Sequence, residues 1–434
     1  MRSIKTPVVV GLAAAMVLAT AACSAGTPTP VETGQVSLTM SGWALSTTPE
    51  FQSLVDAFKK AEPNVSITIK EYDASTYENR LLVDMTGDQA PDVIAIRQAK
   101  YVTQWANGGQ LLDVSDLASK IPASVSGASA YQVEGKYYGV PYRQDSWLLF
   151  FDKDLFDKAG VAVPNGQWTW ADYVSAAKDL TTKLAAAGVD AKGTFEASAQ
   201  SSVQGFANAQ KGDETNLTGP YFTGDYSYML PYYQNALDLQ TAGAQVGYSD
   251  VAQNKLSYQT QFGKQAAAMV LAPSSYIAGL ISQQKSGDAM QFAWGLAPAP
   301  QFDASTLKTP VTFGDPVGIG INANIDPTKL QAAKDFLTFV TSEDAAKALA
   351  GIGVTPAMSS AAVTKAFFAV AGTPQDATSQ AAFQTHLTYP ENPPGPDQVI
   401  IATLLGAAHA AIMAGADAKK TLSDTGTKVA NKDW

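Results

Sequence analysis

The chain of 434 residues contains one cysteine, Cys23, and two histidines, His386 and His409. A single thiol excludes a disulfide within the chain. The two histidines are far apart in sequence, and neither has a second histidine or a cysteine at the spacing of zinc ligands. The glycine pairs at 318–320 and 351–353 lack the third glycine of a dinucleotide fingerprint. We therefore expect neither a metal site nor a cofactor.

Basic residues are also scarce, because 29 Lys and Arg stand against 39 Asp and Glu, a net charge of −10. Proteins that bind nucleic acid neutralise phosphates with basic patches, and proteins that adhere to anionic membranes use basic clusters in the same way. This charge balance indicates that the chain binds neither nucleic acid nor a lipid surface by electrostatic attraction.

The one long apolar run stands at the N-terminus. Arg2 and Lys5 precede residues 8–19, which are almost purely apolar and small, and Ala21 and Ala22 follow. This order of charge, short apolar core and small residues is that of a cleaved export signal, which we predict over residues 1–22. The run is shorter than the ~20 residues that a membrane span needs.

Cys23 directly follows the predicted signal, in a segment that resembles a bacterial lipobox with Thr20 where a leucine is usual. The resemblance implies that the thiol carries a diacylglycerol and anchors the chain to the outer face of the cytoplasmic membrane. An ordinary secretory signal with a free thiol is the alternative.

Residues 23–35 are rich in Pro, Thr and Gly, and we predict a tether without a fold of its own. Without Arg2 and Lys5, 27 basic residues face 39 acidic ones, a charge of −12.

Predicted strands and helices alternate from residue 36 onward. Residues 36–40 and 65–69 alternate apolar and polar side chains as strands do, and an amphipathic helix with one apolar face covers 51–58 between them. Residues 92–96 form an apolar run that is typical of a buried parallel strand. This order predicts an α/β fold with a mainly parallel sheet flanked by helices. Since 412 residues remain after residue 22, which is more than one core usually holds, we expect two lobes.

Several segments resemble the family 1 extracellular solute-binding proteins of bacterial ABC transporters, the group of maltose-binding protein. The first is LVDAFKKAEPNVSITI at 54–69, and the second is TGDQAPDVI at 86–94. The most specific is GKYYGVPYRQDSWLLFFDKD at 135–154, which matches the family's first crossover between lobes. The resemblance implies a periplasmic-binding-protein-like fold of two lobes, with a small solute bound in the cleft between them, and a membrane permease as partner.

The family resemblance also implies that each lobe is discontinuous in sequence. We place lobe 1 at residues 36–143 and 310–355, and lobe 2 at residues 144–309 and 356–434. The lobes would close on the ligand by hinge bending, with a monomer sufficient for the task.

A carbohydrate ligand offers C–H faces that pack on aromatic rings and hydroxyls that need paired donors and acceptors. Such residues are expected at the carboxyl ends of strands, where α/β sheets bind ligands, and at the crossings between lobes. The candidate ligand contacts are Trp43, Gln98, Tyr142, Arg143, Asp145, Trp147, Tyr276 and Asp315.

Other roles remain open for three of these side chains. Trp43 and Trp147 could belong to the hydrophobic core, and Asp145 could simply pair with Arg143.

Two other functions of the protein also remain open. The aromatic-rich cleft could serve an exported glycosidase-like enzyme whose acids include Asp145, Asp152 and Asp154. A cell-surface adhesion protein is the third reading.

Overall fold

A computed structural model describes residues 34–43, 45, 49–74, 76–87, 89–211, 219–384, 386–393, 395 and 397–434. The predicted signal peptide, Cys23 and the tether up to residue 33 lie outside the described residues. Within the described part of the chain, no helix combines the length and the apolar character that crossing a membrane requires.

The strands, in chain order, are β1 (Val36–Trp43), β2 (Val65–Tyr72), β3 (Val93–Ile96), β4 (Gln132–Val133), β5 (Lys136–Tyr137), β6 (Val140–Gln144), β7 (Trp147–Asp152), β8 (Met269–Pro273), β9 (Trp294–Pro298), β10 (Val311–Phe313), β11 (Pro316–Ile321) and β12 (Leu387–Tyr389). The α-helices are α1 (Glu50–Ala61), α2 (Tyr77–Thr86), α3 (Val102–Asn107), α4 (Ser115–Ala118), α5 (Lys153–Ala159), α6 (Trp170–Ala186), α7 (Ser201–Lys211), α8 (Pro220–Thr223), α9 (Leu230–Thr241), α10 (Tyr248–Gln253), α11 (Tyr258–Gly263), α12 (Tyr276–Ser286), α13 (Leu330–Val340), α14 (Glu343–Ala350), α15 (Ala361–Phe368), α16 (Ala377–Gln384), α17 (Gln398–Met413) and α18 (Ala418–Asn431).

The first sheet has the strand order β2-β1-β3-β11-β6. β1 runs parallel to β2 and β3, whereas β11 runs antiparallel to both of its neighbours. All four residues of β3 are fully buried because helices cover both faces of the sheet at its centre. The predicted β-α-β-α-β order at residues 36–96 is confirmed.

The helices of this first lobe pack on the sheet through the faces that the sequence predicts. Phe51, Leu54 and Phe58 of α1 are each at most 1% exposed, at the i, i+3, i+7 spacing of one helix face. The ring of Phe58 meets that of Phe336 on α13 at a centroid distance of 5.0 Å. These contacts place α1 and α13 side by side against one sheet face.

The second sheet has the order β8-β7-β9, and β7 runs antiparallel to both neighbours. The expectation of a mainly parallel sheet in each lobe is corrected here. Residues 148–151 are all buried, because helices and loops cover both faces of β7. A strand buried on both faces carries the same apolar run whatever the direction of its neighbours, so the pattern could not reveal the direction.

The chain passes from the second lobe back to the first a few residues after the predicted boundary at residue 310. Residues 310–313, which we assigned to lobe 1, lie with lobe 2. β10 pairs with β12, and Phe313 stacks on Trp147 at a centroid distance of 4.8 Å. The crossing therefore falls at Gly314 and Asp315, between β10 and β11.

Two α/β lobes with separate cores result from these connections, which confirms the predicted fold class. One core contains β1, β3 and β11, and others surround β7 on its two faces. α14 contributes to both sides, since Leu349 packs in the first lobe and Ala346 in the second. The remaining predicted lobe boundaries stay a prediction.

Candidate functional site

Two crossings between the lobes touch each other. A Cβ atom built on Gly314 would lie 1.8 Å from the carbonyl oxygen of Asp145, so only glycine permits this approach. The amide of Gln144 ties the crossings together, because its Nε2 donates to the oxygens of Asp145 (2.9 Å) and Gly314 (3.0 Å). The structure thereby brings together Tyr142, Arg143, Asp145 and Asp315, four of the predicted site residues.

The crossing strand has two different sides. Gln144 and Ser146 line a cavity of ≈290 Å³, together with residues such as Ser274 and Thr355. Successive side chains of an extended chain point to opposite faces, which leaves Arg143 and Asp145 for the other side. The charged groups therefore form a site of their own.

Arg143 is held by a carboxylate that sequence reasoning missed. Its Nη1 donates to Oε2 of Glu50 at 2.6 Å, and Tyr142 Oη donates to Oε1 of the same residue at 2.6 Å. The Nη2 of Arg143 lies 3.4 Å from Oδ2 of Asp145. Burial lowers the pKa of Arg143, but the two carboxylates outweigh it, so the pKa lies above its usual value.

Two atoms of this network lack a hydrogen-bond partner within the described part of the chain. Arg143 Nε and Asp145 Oδ1 are both buried and unpaired. Buried polar atoms without a partner are rare in folded proteins, and each one requires an explanation. A donor and an acceptor left open at the meeting point of two lobes are suited to a ligand with both acceptor and donor groups.

A second carboxylate group stands beside this network. Oδ1 of Asp315 accepts a hydrogen bond from the backbone N–H of Glu391 at 3.0 Å. Burial, followed by repulsion from Asp315, raises the pKa of Glu391 to about 7, and Lys100 opposes this shift. Burial also raises the pKa of Asp315; Lys100 opposes this shift and the charge of Asp145 adds to it. The site therefore carries an excess of acidic groups.

Gln98 and Arg97 lie at the end of β3 and share one partner. Arg97 binds Glu78 through Nε (2.8 Å) and Nη2 (2.7 Å), and Gln98 Nε2 donates to Oε1 of Glu78 at 3.0 Å. This bidentate pair neutralises Arg97. The predicted ligand contact of Gln98 stays a prediction.

Trp43 ends β1 but packs into the first lobe. Its side chain is 6% exposed, and its ring meets those of Phe51 and Tyr77 edge-on at 4.7 and 4.8 Å. Trp43 therefore packs in the hydrophobic core, which is one of the two roles that the sequence left open for it. Whether the exposed part of the ring also contacts a ligand stays a prediction.

The two predicted aromatic contacts of lobe 2 differ in their surroundings. Trp147 is partly exposed, stacks on Phe313, and accepts a hydrogen bond from Thr312 Oγ1 through its carbonyl oxygen at 2.6 Å. Tyr276 is 3% exposed, and its ring packs against that of Tyr258 at 5.0 Å. Trp147 keeps an accessible surface at the crossing, while Tyr276 lies in the core of lobe 2.

Sequence reasoning missed Glu50, Glu391 and Lys100. Glu50 follows Pro49 at the start of α1. From the sequence, an acidic residue at this position indicates only that its negative charge stabilises the first helical turn. Glu391 follows β12, a short strand that the sequence did not reveal. Their roles depend on contacts between distant segments, for which no local pattern exists.

Two of the three acids of the glycosidase-like arrangement, Asp152 and Asp154, bind other groups of the chain. Asp152 accepts from the backbone N–H of Leu155 (2.9 Å) and from Gln265 Nε2 (2.8 Å), so it caps α5. Asp154 accepts from the backbone N–H of Ala293 at 3.2 Å. Within the described residues, no cluster of three or more acidic, histidine or cysteine side chains could hold a metal ion.

The fold is that of the two-domain solute-binding proteins. Residues 44–347 match the family model described as bacterial extracellular solute-binding protein. This match covers more than half of the chain, and the chain belongs to that family.

Three similar proteins extend this comparison. The crystal structure of a sugar transporter from Rhizobium etli, in an open conformation, has a TM-score of 0.78 and 26% identity over 91% of this chain and 99% of the other. A maltooligosaccharide ABC transporter solute-binding lipoprotein of Streptococcus pneumoniae is 32% identical over 33% of this chain and 32% of its own. An arabinooligosaccharide-binding protein of Halalkalibacterium halodurans is 25% identical over 31% of each chain. The chain thus spans about a third of the length of these two curated relatives.

Proposed function

We propose that the chain is the substrate-binding component of an ABC importer, which binds a carbohydrate between its lobes and delivers it to a membrane permease. The observation that carries the proposal is the pair of unpaired buried atoms, Arg143 Nε and Asp145 Oδ1, at the touching crossings. A hydroxyl group can accept from the first and donate to the second. The names of the three similar proteins support a sugar as the ligand class.

A neutral ligand fits the charges better than an anionic one. Arg97 and Arg143 each pair with a glutamate, so neither is free to neutralise an anion. Asp145 and Asp315 add negative charge, and Lys100 is the basic side chain that acts on Asp315 and Glu391. An anionic ligand would meet net repulsion here, whereas sugar hydroxyls can donate to the carboxylates.

The proposed function is transport and involves no catalysis. Binding energy stabilises a closed state of the two lobes, and the permease responds to that closed state. The lipid on Cys23 would hold the mature chain at the outer face of the cytoplasmic membrane, with the tether of residues 23–35 leaving the domain free to turn. A monomer is sufficient for this cycle.

A thermal-shift screen of saccharides on the mature chain, residues 23–434, tests the proposal. A ligand at 100 times its dissociation constant adds about 2.7 kcal/mol to the stability of the folded state. The panel includes maltotriose, arabinotriose and mannitol, with glycerol 3-phosphate as an anionic comparison. We expect at least one neutral saccharide to raise the melting temperature, and Asp145→Ala to weaken that effect. Hydrolysis of a glycoside by the wild-type chain would instead favour the enzyme.

A further inference from the structure

Glu50 is a buried carboxylate with both oxygens occupied. The residue is 1% exposed and opens α1, where the unpaired backbone N–H groups of the first turn favour a negative charge. Its two oxygens accept from different side chains of β6, the hydroxyl of Tyr142 and the guanidinium of Arg143. These contacts bind the beginning of α1 to the strand that enters the first crossing.

A bulge in β6 explains how two successive residues reach one carboxylate. Val317 of β11 pairs with Arg143, and the next residue, Gly318, pairs with Pro141, so Tyr142 is an extra residue opposite β11. In a regular strand, neighbouring side chains point to opposite faces. A bulge redirects a side chain locally, and here it lets both Tyr142 and Arg143 contact Glu50.

Arg143 connects Glu50 to the crossing. One end of its guanidinium is fixed at 2.6 Å from Glu50, and the other lies 3.4 Å from Asp145. This leaves Arg143 Nε and Asp145 Oδ1 as the unpaired donor and acceptor. The position of both atoms therefore depends on the anchor that Glu50 supplies.

We propose that Glu50 is a positioning residue for ligand recognition, because it holds the Arg143 guanidinium so that Arg143 Nε and Asp145 Oδ1 meet the hydroxyls of the ligand. The inference rests on the proposed function and adds a residue to it. Glu50 itself does not contact the ligand, since both of its oxygens are already bound and its side chain is buried.

Two variants of the mature chain separate this role from a general loss of packing. Glu50→Gln keeps the size of the side chain and an oxygen that can accept from Tyr142, but it places an uncharged amide against Arg143. Tyr142→Phe is the matched control, because it removes the other hydrogen bond to Glu50 and leaves the charge pair intact.

Nuclear magnetic resonance of the arginine Nε–H groups gives a readout that needs no ligand. Beyond residue 22 the chain contains only Arg80, Arg97 and Arg143. The Arg97 signal serves as an internal reference, because Arg97 pairs with Glu78 in the same lobe. We expect Glu50→Gln to shift and broaden the Arg143 signal while the Arg97 signal is unchanged, and Tyr142→Phe to preserve both. An unaltered Arg143 signal in Glu50→Gln overturns the inference.

Isothermal titration with maltotriose and arabinotriose then measures the consequence for binding. For a sugar that the wild type binds, we expect the dissociation constant of Glu50→Gln to rise at least tenfold above that of the wild type. A displaced Arg143 signal with unchanged affinity also overturns the inference. If the wild type binds neither sugar, the result counts against the proposed function, while the Arg143 signal still decides whether Glu50 holds the guanidinium.

A third variant covers the case in which Glu50→Gln does not fold, which loss of the Arg97 signal would reveal. Glu50→Asp keeps the charge and shortens the side chain by one methylene. We expect a shifted Arg143 signal and a dissociation constant above that of the wild type, because the shorter side chain moves the carboxylate that holds the guanidinium. Wild-type behaviour of Glu50→Asp in both measurements would contradict a positioning role.

Discussion

Gly314→Ala tests whether the two crossings must touch. The added Cβ would lie 1.8 Å from the carbonyl oxygen of Asp145, 2.6 Å from its carbonyl carbon and 3.0 Å from Cα of Ser146. An ordinary contact of a Cβ atom begins at 3.4 Å, so the shortfall at the oxygen is 1.6 Å. All three neighbours are backbone atoms that cannot rotate away. The crossings must therefore separate, at a cost of about 3 kcal/mol, the upper end for overpacking.

Urea unfolding of the mature chain measures this cost, with Gly87→Ala as the matched control. Gly87 has an extended conformation that alanine adopts readily, and its nearest neighbour to a new Cβ is at an ordinary 3.5 Å. We expect the control to change the free energy of unfolding by less than about 0.5 kcal/mol, as for most surface substitutions. If Gly314→Ala were as stable as Gly87→Ala, the contact between the crossings would be refuted.

Three further predictions concern pH, aromatic packing and helix capping. The pKa of Glu391 is raised from 4.5 to about 7, so the folded chain holds this proton more strongly, and the free energy of unfolding should fall as pH rises from about 4.5 to about 7. Glu391→Gln should flatten this decline in urea titrations, and an unchanged slope would contradict it. Phe313→Ala removes the ring stacked on Trp147 and should cost about 3–5 kcal/mol, with a red shift of tryptophan fluorescence. Thr169→Ala breaks a capping box with Asp172 and should cost about 1 kcal/mol in thermal unfolding.

Local patterns in the sequence predicted the first lobe best. The helical spacing of Phe51, Leu54 and Phe58 identified the buried face of α1, because that pattern depends only on the helix period. The direction of the strands beside β7 was missed, because a run buried on both faces looks alike in parallel and antiparallel sheets. β12 was missed too, since three residues that pair with β10 carry no pattern of their own.

The candidate site was predicted only in part, because some of its contacts join segments that are distant in sequence. Position in the chain selected Arg143, Asp145 and Asp315, because crossings between lobes carry ligand contacts in the family that the sequence resembles. Glu50 lies 93 residues from Arg143 and becomes its partner only through the fold. The bulge at Tyr142 that makes this contact depends on the register against β11, which the sequence of β6 alone does not determine.

Small-angle scattering of the mature chain, with and without each saccharide of the panel, tests the central proposal most directly. We predict that at least one neutral saccharide reduces the radius of gyration, because the lobes close around it, and that Asp145→Ala raises the concentration needed for this change. An unchanged radius of gyration with every saccharide, at concentrations that saturate related binding proteins, would contradict the proposed capture of a sugar between the lobes.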